Sequence, residues 1–269
     1  MEITALQKFR PLPTRRQIIL WMSAIGTPMT ALPQSHQREN MSVDKKTKYT
    51  WSYSSLDLFK QCPQKYYRLR VKKDVVEPPT EHLNYGLEVH KSAEDFIKDG
   101  TPIPEKHAFI REPLELLRKR NGKHLCEYKL GLTRDLRPCG FFDEDVWWRG
   151  IADLITLQDD KAYLVDYKTG KSSKYADTKQ LEVLSLAIFK HFPEVKKVKA
   201  GLLFVVANDF VKADFEADQQ GIYWMRWLDD TARLEKSIEL DVWNPRPNFS
   251  CKSWCAVKDC THNGKGVYR

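Results

Sequence analysis

The spacing of apolar residues alternates between a helical and a strand period along the chain, and the order of these segments predicts the fold. Ser54 and Ser55, with Asp57 in a capping box, predict the start of one helix, and Asp177 with Gln180 predicts another. The other helices are predicted over residues 84–98, 112–120 and 222–239, and the strands over 125–132, 147–157, 162–168, 198–207 and 211–215. This order predicts an α/β fold, a mixed central β-sheet flanked by helices.

The most informative segment is a predicted β-hairpin, because its register determines which side chains meet. Two β-prone apolar runs flank the polar residues Asp159 and Asp160. If these two form the loop, Asp153 lies directly opposite Asp166, and directly opposed residues share a face with Cβ atoms ~4.5–5.5 Å apart. Lys168 points to that face as well, since it lies two residues beyond Asp166.

Two carboxylates that face each other in a half-buried sheet repel, and they need a compensating cation. Apolar residues surround this pair. Ile151, Ile155, Leu157 and Leu164 share its face, whereas Leu154, Val165 and Tyr167 line the opposite face. Mg²⁺ takes one or two protein carboxylates plus substrate phosphate oxygens, and a neighbouring lysine can assist attack by water. The cluster is suited to phosphodiester hydrolysis; the alternative is an ordinary cross-strand ion-pair cluster.

The composition is that of a globular protein. Of the 269 residues, 42% are hydrophobic, 12% aromatic and 30% charged, which excludes a disordered or fibrous chain. The formal net charge of +8 is uneven, because residues 1–50 hold 8 basic and 3 acidic residues, whereas the remainder holds 36 and 33. A nucleic-acid interface must therefore depend on a local patch rather than on the net charge.

One segment, residues 60–73, is rich in basic residues and contains no acid; we call it the basic patch. Its members predicted to bind DNA are Lys60, Lys65, Tyr66, Arg68, Arg70, Lys72 and Lys73. Basic groups contact phosphates and aromatic rings stack on bases. A solvated helix face is the alternative.

The six cysteines are too few for a disulfide scaffold and indicate a reducing, cytoplasmic compartment. No apolar run reaches the ~18–20 residues of a membrane span, so no membrane partner is predicted.

Five motifs occur in order along the chain. They are Ser52-Tyr53-Ser54 leading to Cys62-Pro63, Gly86-Leu87-Glu88-Val89-His90, Gly150-Ile151-Ala152-Asp153, Asp166-Tyr167-Lys168-Thr169-Gly170, and Gln180. In this order and spacing they resemble the RecB-like branch of the PD-(D/E)XK nuclease superfamily, over about residues 51–260. The resemblance implies a restriction-endonuclease-like core.

The resemblance also implies roles for these residues. Asp153 and Asp166 are implied to bind Mg²⁺ or Mn²⁺, with the backbone carbonyl of Tyr167 as a further ligand. His90 resembles the additional metal ligand of this branch, and a helix-surface histidine is the alternative. Lys168 is implied to be the catalytic lysine.

Two further positions match the family pattern less strictly. Gln180 resembles the glutamine that positions the lysine or the substrate strand, and it also fits the capping box. Glu127 resembles an acid often present before the Gly-x-x-Asp strand. Leu184 departs from the pattern, since a tyrosine often stands there.

The cysteines near the C-terminus raise a second metal question. Some RecB-like nucleases hold a [4Fe–4S] cluster with one cysteine before the core and three after it. The corresponding residues are Cys62, Cys251, Cys255 and Cys260. The last three are separated by three and four residues, where the family has two and five. His262 makes zinc an alternative, and a third alternative is a group of reduced cysteines packed beneath a turn.

The implied function is that of a metal-dependent DNA nuclease. The resemblance favours an exonuclease that acts on single strands or duplex ends in recombination, repair or phage-type DNA processing, with a helicase or recombination protein in trans. A non-catalytic DNA-binding or scaffold module with a cysteine-bound cofactor, and an RNA-directed nuclease, are the alternatives. We expect a disordered or over-called extension over residues 1–48, a nuclease domain over 49–245 and a cysteine-containing tail over 246–269 that packs on the N-terminal part of the domain.

Overall fold

A single six-stranded sheet, with helices on both faces, organises the part of the chain that the structure describes. That structure is a computed structural model and describes residues 49–265, so the extension predicted over residues 1–48 lies outside the described residues. None of the helices in this part is both long and apolar enough to cross a membrane.

The strands pair in the order β2-β1-β3-β4-β5-β6. Their bounds are Lys123–Thr133 for β1, Pro138–Cys139 for β2, Val146–Gln158 for β3, Lys161–Lys168 for β4, Lys197–Phe204 for β5 and Asp209–Glu216 for β6. Among the strand pairs of the described sheet, β4 and β5 form the one parallel pair, and the helix between them makes the crossover that parallel strands require. The predicted mixed α/β sheet is confirmed.

Within residues 49–265, six α-helices accompany the sheet. They are α1 Tyr53–Gln61, α2 Pro63–Tyr66, α3 Glu81–Asp99, α4 Arg111–Arg118, α5 Lys179–His191 and α6 Gln220–Leu240. A π-helical turn over Tyr67–Val71 and 3₁₀ turns over Glu105–Ile110, Ala217–Gln219 and Phe249–Cys251 complete the described elements. The sequence predicted the longer helices and strands to within a few residues but gave no sign of β2 or of these short turns.

The first helix begins earlier than predicted. Its N-cap is Ser52, which accepts a hydrogen bond from the backbone of Ser55 and forms a capping box with it. The capping box predicted at Ser54 and Asp57 is therefore wrong by two residues, because several hydroxyls in this segment can serve as caps. The helix ends before Pro63, which starts α2 where a missing backbone N–H has no cost.

The predicted hairpin register is confirmed as far as the pair Leu154–Val165, where the β3–β4 ladder ends. Asp159 has the positive φ of 52° that a tight hairpin loop requires. The predicted division of apolar residues between the two faces is also found. Ile155 and Leu164 belong to the core beneath α1, α5 and α6, whereas Leu154, Val165 and Tyr167 belong to the core beneath α3.

Gly150 is packed so closely that it has no room for a side chain. A Cβ there would lie 2.8 Å from the ring of the buried Trp148 and 3.1 Å from Leu184 on α5. This contact explains in physical terms why a glycine stands three residues before Asp153.

Replacing Gly150 by alanine is therefore expected to lower the free energy of unfolding by ~1–3 kcal/mol, because an overpacked core must distort to admit the methyl group. Urea unfolding measures the change. Gly221, in the first turn of α6, is the control, since nothing lies within 4 Å of a Cβ built there. Gly221→Ala is expected to be neutral or stabilising by up to ~1 kcal/mol. Equal stabilities of the two variants would contradict the packing argument.

Candidate active site

The predicted carboxylates lie where β3 and β4 separate. Beyond Leu154–Val165 the backbone of β4 no longer pairs with that of β3, and the N–H of Tyr167 instead donates to Oδ2 of Asp153 at 2.7 Å. The Asp153 side chain thus fills the gap between the two strands. At this end of the ladder, side chains of β3 and β4 contact residues of the helices on both faces of the sheet, His90 on α3 and Gln180 on α5.

Three side chains with metal-ligating atoms come together on the α3 side of this gap. Atoms of His90, Glu127 and Asp153 lie within 4.8 Å of one another. Nδ1 of His90 is 3.4 Å from Oδ2 of Asp153, and its Nε2 is 3.0 Å from the carbonyl oxygen of Tyr167. The structure therefore groups Glu127 with these residues, whereas the sequence gave it only as an acid that often precedes the strand.

Glu127 has an unusual backbone conformation, which the pattern of apolar and polar residues along β1 does not predict. Its φ is +46°, a left-handed value that is rare outside glycine. It lies between the pairs Cys126–Leu154 and Tyr128–Ala152, so the register of β1 and β3 places it opposite Asp153. The pairing of β1 with β3 is the signal that could have found it.

Asp166 belongs to a second group, on the α5 side. Nε2 of Gln180 donates to its Oδ1 at 2.8 Å, and Nζ of Lys168 donates to Oε1 of Gln180 at 3.1 Å. Lys168 Nζ also forms an ion pair with the buried Oδ2 of Asp166, 2.5 Å away, and no other described residue donates a hydrogen bond to this oxygen. Gln180 links the carboxylate to the lysine.

The capping role predicted for Gln180 is not found. The N-cap of α5 is Thr178 and makes no side-chain cap bond, while Oδ1 of Asp177 accepts from the backbone N–H of Lys179 at 2.9 Å. The glutamine side chain instead turns towards Asp166 and Lys168.

The acidic side chains of the site lie close together and are largely buried, and both factors shift the pKa values of the site residues. Burial and then the charge of Asp153 raise the pKa of Asp166 to about 6, although Lys168 acts in the opposite direction. Burial and then Asp153 also raise the pKa of Glu127. Burial alone lowers the pKa of His90, but the hydrogen bond and charge of Asp153, with the other two acids, outweigh burial and raise it. The shifts of the two acids therefore reflect first their burial and then the repulsion from Asp153, whereas that of His90 reflects the neighbouring negative charge.

A cleft of about 420 Å³ adjoins this site along β3. Gln180 lines the cleft at the site, and Arg149, Ile151 and Arg70 line it further along. Of these, sequence reasoning missed Arg149 and gave Ile151 only as a face residue, although both precede Asp153 on the same strand.

The basic patch is less open than its composition predicts. Four of its cations form ion pairs with acids that are distant or downstream in sequence. The partners are Asp230 for Lys60, Glu77 for Lys65, Asp74 and Asp259 for Arg68, and Asp74 for Lys72. Arg70 and Lys73 have no ion pair with a described residue.

Tyr66 of the basic patch is a core residue. It is 5% exposed, with its ring stacked on Trp243 and in edge contact with Phe59. Stacking on a base, the role predicted for it, is therefore wrong for this structure. Phe59 is near it in sequence, whereas Trp243 comes from a distant part of the chain.

The four predicted cluster cysteines line one small recess. Cys62, Cys251, Cys255 and Cys260 surround it together with His262, and none forms a disulfide. Backbone N–H groups of Arg246 and Asn248 donate to the sulfurs of Cys62 and Cys251, at 3.4 Å each. The C-terminal segment thus lies against the start of α2.

A comparison with known protein families identifies the superfamily of this chain. The family model of the PD-(D/E)XK nuclease superfamily matches residues 50–260. The chain therefore belongs to this superfamily, and the α/β sheet is its restriction-endonuclease-like core. The membership assigns the protein to the nucleases, for which divalent metals and nucleic-acid substrates are general.

Two solved structures are similar at low identity. One is SSO0001, with 17% identity, a TM-score of 0.37, and coverage of 80% of this chain and 87% of that chain. The other, from Eubacterium rectale and described as a "Putative exonuclease", has 10% identity, a TM-score of 0.46, and coverage of 88% and 96%. No curated protein matches the sequence.

Proposed function

We propose that this protein is a Mg²⁺- or Mn²⁺-dependent exonuclease of the RecB-like branch that hydrolyses DNA in recombination, repair or phage-type DNA processing. The observation that carries the proposal is the meeting of two groups at the end of the β3–β4 ladder. His90, Glu127 and Asp153 approach from one side, while Asp166, Lys168 and Gln180 form the other. Three carboxylates, those of Glu127, Asp153 and Asp166, thus lie near one another, and Lys168 is the ion-pair partner of Asp166.

The residues present fit a divalent cation. Burial and then the charge of Asp153 raise the pKa values of Asp166 and Glu127, and Lys168 is the ion-pair partner of Asp166. A divalent cation would offset the repulsion between these buried carboxylates. Carboxylate and carbonyl oxygens are the donors that Mg²⁺ and Mn²⁺ prefer. Asp153 and Asp166 would hold the ion, with His90, Glu127 and the carbonyl of Tyr167 as further ligands. When bound, the cation supplies Lewis-acid polarisation of the scissile phosphate.

The remaining side chains have roles that follow from their contacts. Lys168 presents its ammonium group beside Asp166, where it stabilises negative charge that develops on the phosphate oxygens and orients the attacking water. Gln180 holds both partners at once, so it fixes the direction of the Lys168 side chain. Gln180 is in this sense a positioning residue.

An end-labelled digestion tests the proposal. The purified chain is incubated with single-stranded DNA, duplex DNA and RNA of matched sequence, with Mg²⁺, Mn²⁺ or EDTA. We expect metal-dependent shortening from an end of DNA. Cleavage of covalently closed circular DNA, which has no ends, would exclude a purely exonucleolytic mode. A preference for RNA would overturn the substrate assignment. Binding without cleavage under every metal would favour a non-catalytic module.

We also propose that the recess formed by the four cysteines holds an iron–sulfur cluster. Zinc bound by thiolates at about 2.3 Å in a tetrahedron needs sulfurs about 3.8 Å apart. Within residues 49–265, no three of these cysteines have sulfurs all within 4.8 Å of one another. The wider arrangement, with backbone N–H donors to two sulfurs, suits a multi-iron group better than one zinc ion.

Replacing Cys255 by serine is expected to abolish or strongly reduce the visible absorption and the bound iron of anaerobically purified protein, since Fe–S clusters are held by cysteine thiolates. Metal analysis and a visible spectrum measure both. Cys139→Ser is the matched control, because Cys139 lies on β2 and does not line the recess. Stoichiometric zinc with no iron in the wild-type protein would contradict the proposal.

A further inference from the structure

The loop between β2 and β3 carries two adjacent phenylalanines next to the cleft. The rings of Phe141 and Phe142 are in edge contact, with centroids 4.9 Å apart, and Phe142 is 74% exposed. A single exposed ring is common on protein surfaces, whereas two adjacent rings beside a cleft form an apolar patch of the kind that marks binding surfaces.

Two cations flank these rings. Nζ of Lys129 lies 5.9 Å from the ring centroid of Phe141 and 5.3 Å from that of Phe142, while Cζ of Arg149 lies 5.2 Å from the Phe141 centroid. Neither cation has an ion pair with a described residue. The four side chains therefore form one mixed aromatic and basic surface, which we call the Phe141–Phe142 platform.

The platform is continuous with the carboxylate site. Lys129 on β1 pairs in register with Ile151 on β3, which is 38% exposed and two residues from Asp153. Arg149 is four residues from Asp153, about 13 Å along the strand. Arg149 and Ile151 also line the cleft that reaches Gln180. A strand that leaves the site along β3 would meet the cations and then the rings.

The same loop also carries three acids, Asp143, Glu144 and Asp145, and the contacts of two of them lie away from the rings. Asp143 accepts a hydrogen bond from the backbone N–H of Gly140 at 2.6 Å, and its carboxylate lies with that of Asp145 around Cys139. The two phenylalanine rings lie instead against Lys129 and Arg149.

We propose that the Phe141–Phe142 platform binds an unpaired segment of the nucleic-acid substrate, by stacking bases on the rings while Lys129 and Arg149 contact phosphates. The proposal rests on the proposed nuclease function and adds the substrate class, which is a single-stranded segment. The faces of bases are accessible to an aromatic side chain when the bases are unpaired, because in a duplex they stack on one another. Proteins that bind single strands without sequence preference combine such stacking with basic contacts to the backbone. Lys129 and Arg149 lie at the rings without an ion pair to a described residue, so their charges are available to phosphates, which favours nucleic acid over an apolar protein partner.

The test measures affinity in a Lys168→Ala background, so that strands are bound without being cut. Fluorescence anisotropy compares a labelled single-stranded oligonucleotide with its blunt duplex. Phe141→Ala/Phe142→Ala is expected to weaken single-strand binding by about tenfold or more, with a smaller effect on the duplex. Phe142→Tyr is expected to retain affinity and Phe142→Leu to lose it, which separates stacking from apolar contact and from misfolding.

Phe249→Ala is the matched control, since Phe249 is 79% exposed and lies in the C-terminal segment. Single-strand affinity that is the same with and without the two rings would overturn the platform, and so would an equal loss for the duplex. These outcomes are distinct from a failure of the nuclease proposal. If the wild-type chain cleaved nothing but the rings still determined single-strand affinity, hydrolysis would be rejected and the platform retained.

Discussion

The Lys168→Ala variant is expected to lose metal-dependent hydrolysis of DNA by a factor of about 10²–10³ or more, with the fold intact. Lys168 contributes a positive charge beside Asp166 and donates to Gln180, whose side chain also binds Asp166. Its side chain is 34% exposed, so its removal opens no core cavity. Initial rates on end-labelled DNA, together with circular dichroism and urea unfolding, measure the two effects separately.

Lys199→Ala is the control for Lys168→Ala. Lys199 is an exposed lysine on β5, paired in register with Tyr163 near the opposite end of β4 from Lys168. Its replacement removes one positive charge from the same sheet and should leave the rate unchanged. Wild-type rates for Lys168→Ala would refute the mechanism, and a partial rescue by Lys168→Arg would show that charge alone supplies part of the effect.

The register of the hairpin could be predicted from sequence because the interactions that fix it are local. Two β-prone runs and a two-residue loop at Asp159 and Asp160 allow few alternatives, and a slip by one residue would turn Leu164 and Val165 to the wrong faces. The positions of Asp153 and Asp166 at the end of the ladder follow from this register. Two of the five motifs, those that contain His90 and Gln180, identified the helices that contact this end of the ladder.

The remaining features depend on contacts between distant segments, which a single sequence does not contain. The partners that neutralise Lys60 and Arg68 include Asp230 and Asp259, more than 160 residues further along the chain. Tyr66 was predicted to be open because its neighbours in sequence are basic, yet Trp243 buries it. The composition of a segment shows which charged and aromatic side chains are close in sequence. It does not show which distant residues form ion pairs with them or bury them.

The chemistry of the site follows from a conflict between burial and charge. Without a cation, three carboxylates stand near one another with His90 and Lys168 as the nearby cationic partners, and Asp166 is only 3% exposed. Such a cluster destabilises the metal-free fold, because an ionised buried acid loses hydration that its neighbours do not replace. The same deficit favours a divalent cation. The metal-free site should therefore become less stable as Asp166 loses its proton.

In the metal-free protein, Asp166→Asn is expected to raise the free energy of unfolding at about pH 8 by ~1–3 kcal/mol, while it abolishes hydrolysis. The pKa of Asp166 is about 6 in the fold against 3.8 ordinarily, so the folded chain holds this proton more tightly. The corresponding stability is fully present below the unfolded pKa and is lost as the pH rises through about 6. Asparagine resembles the protonated carboxyl and avoids that loss, although it gives up the attraction of Lys168.

Urea unfolding in EDTA at about pH 4 and about pH 8 measures this effect, and the gain should be confined to the higher pH. Asp160→Asn, in the exposed hairpin loop, is the control and should change stability by less than ~0.5 kcal/mol at both values. Added Mn²⁺ should then stabilise the wild-type protein more than the variant, since a ligand that binds only the folded state adds its binding energy to stability. A variant less stable than wild type at both pH values, or equally stabilised by Mn²⁺, would show that Asp166 is a structural ion-pair partner of Lys168 rather than a metal ligand.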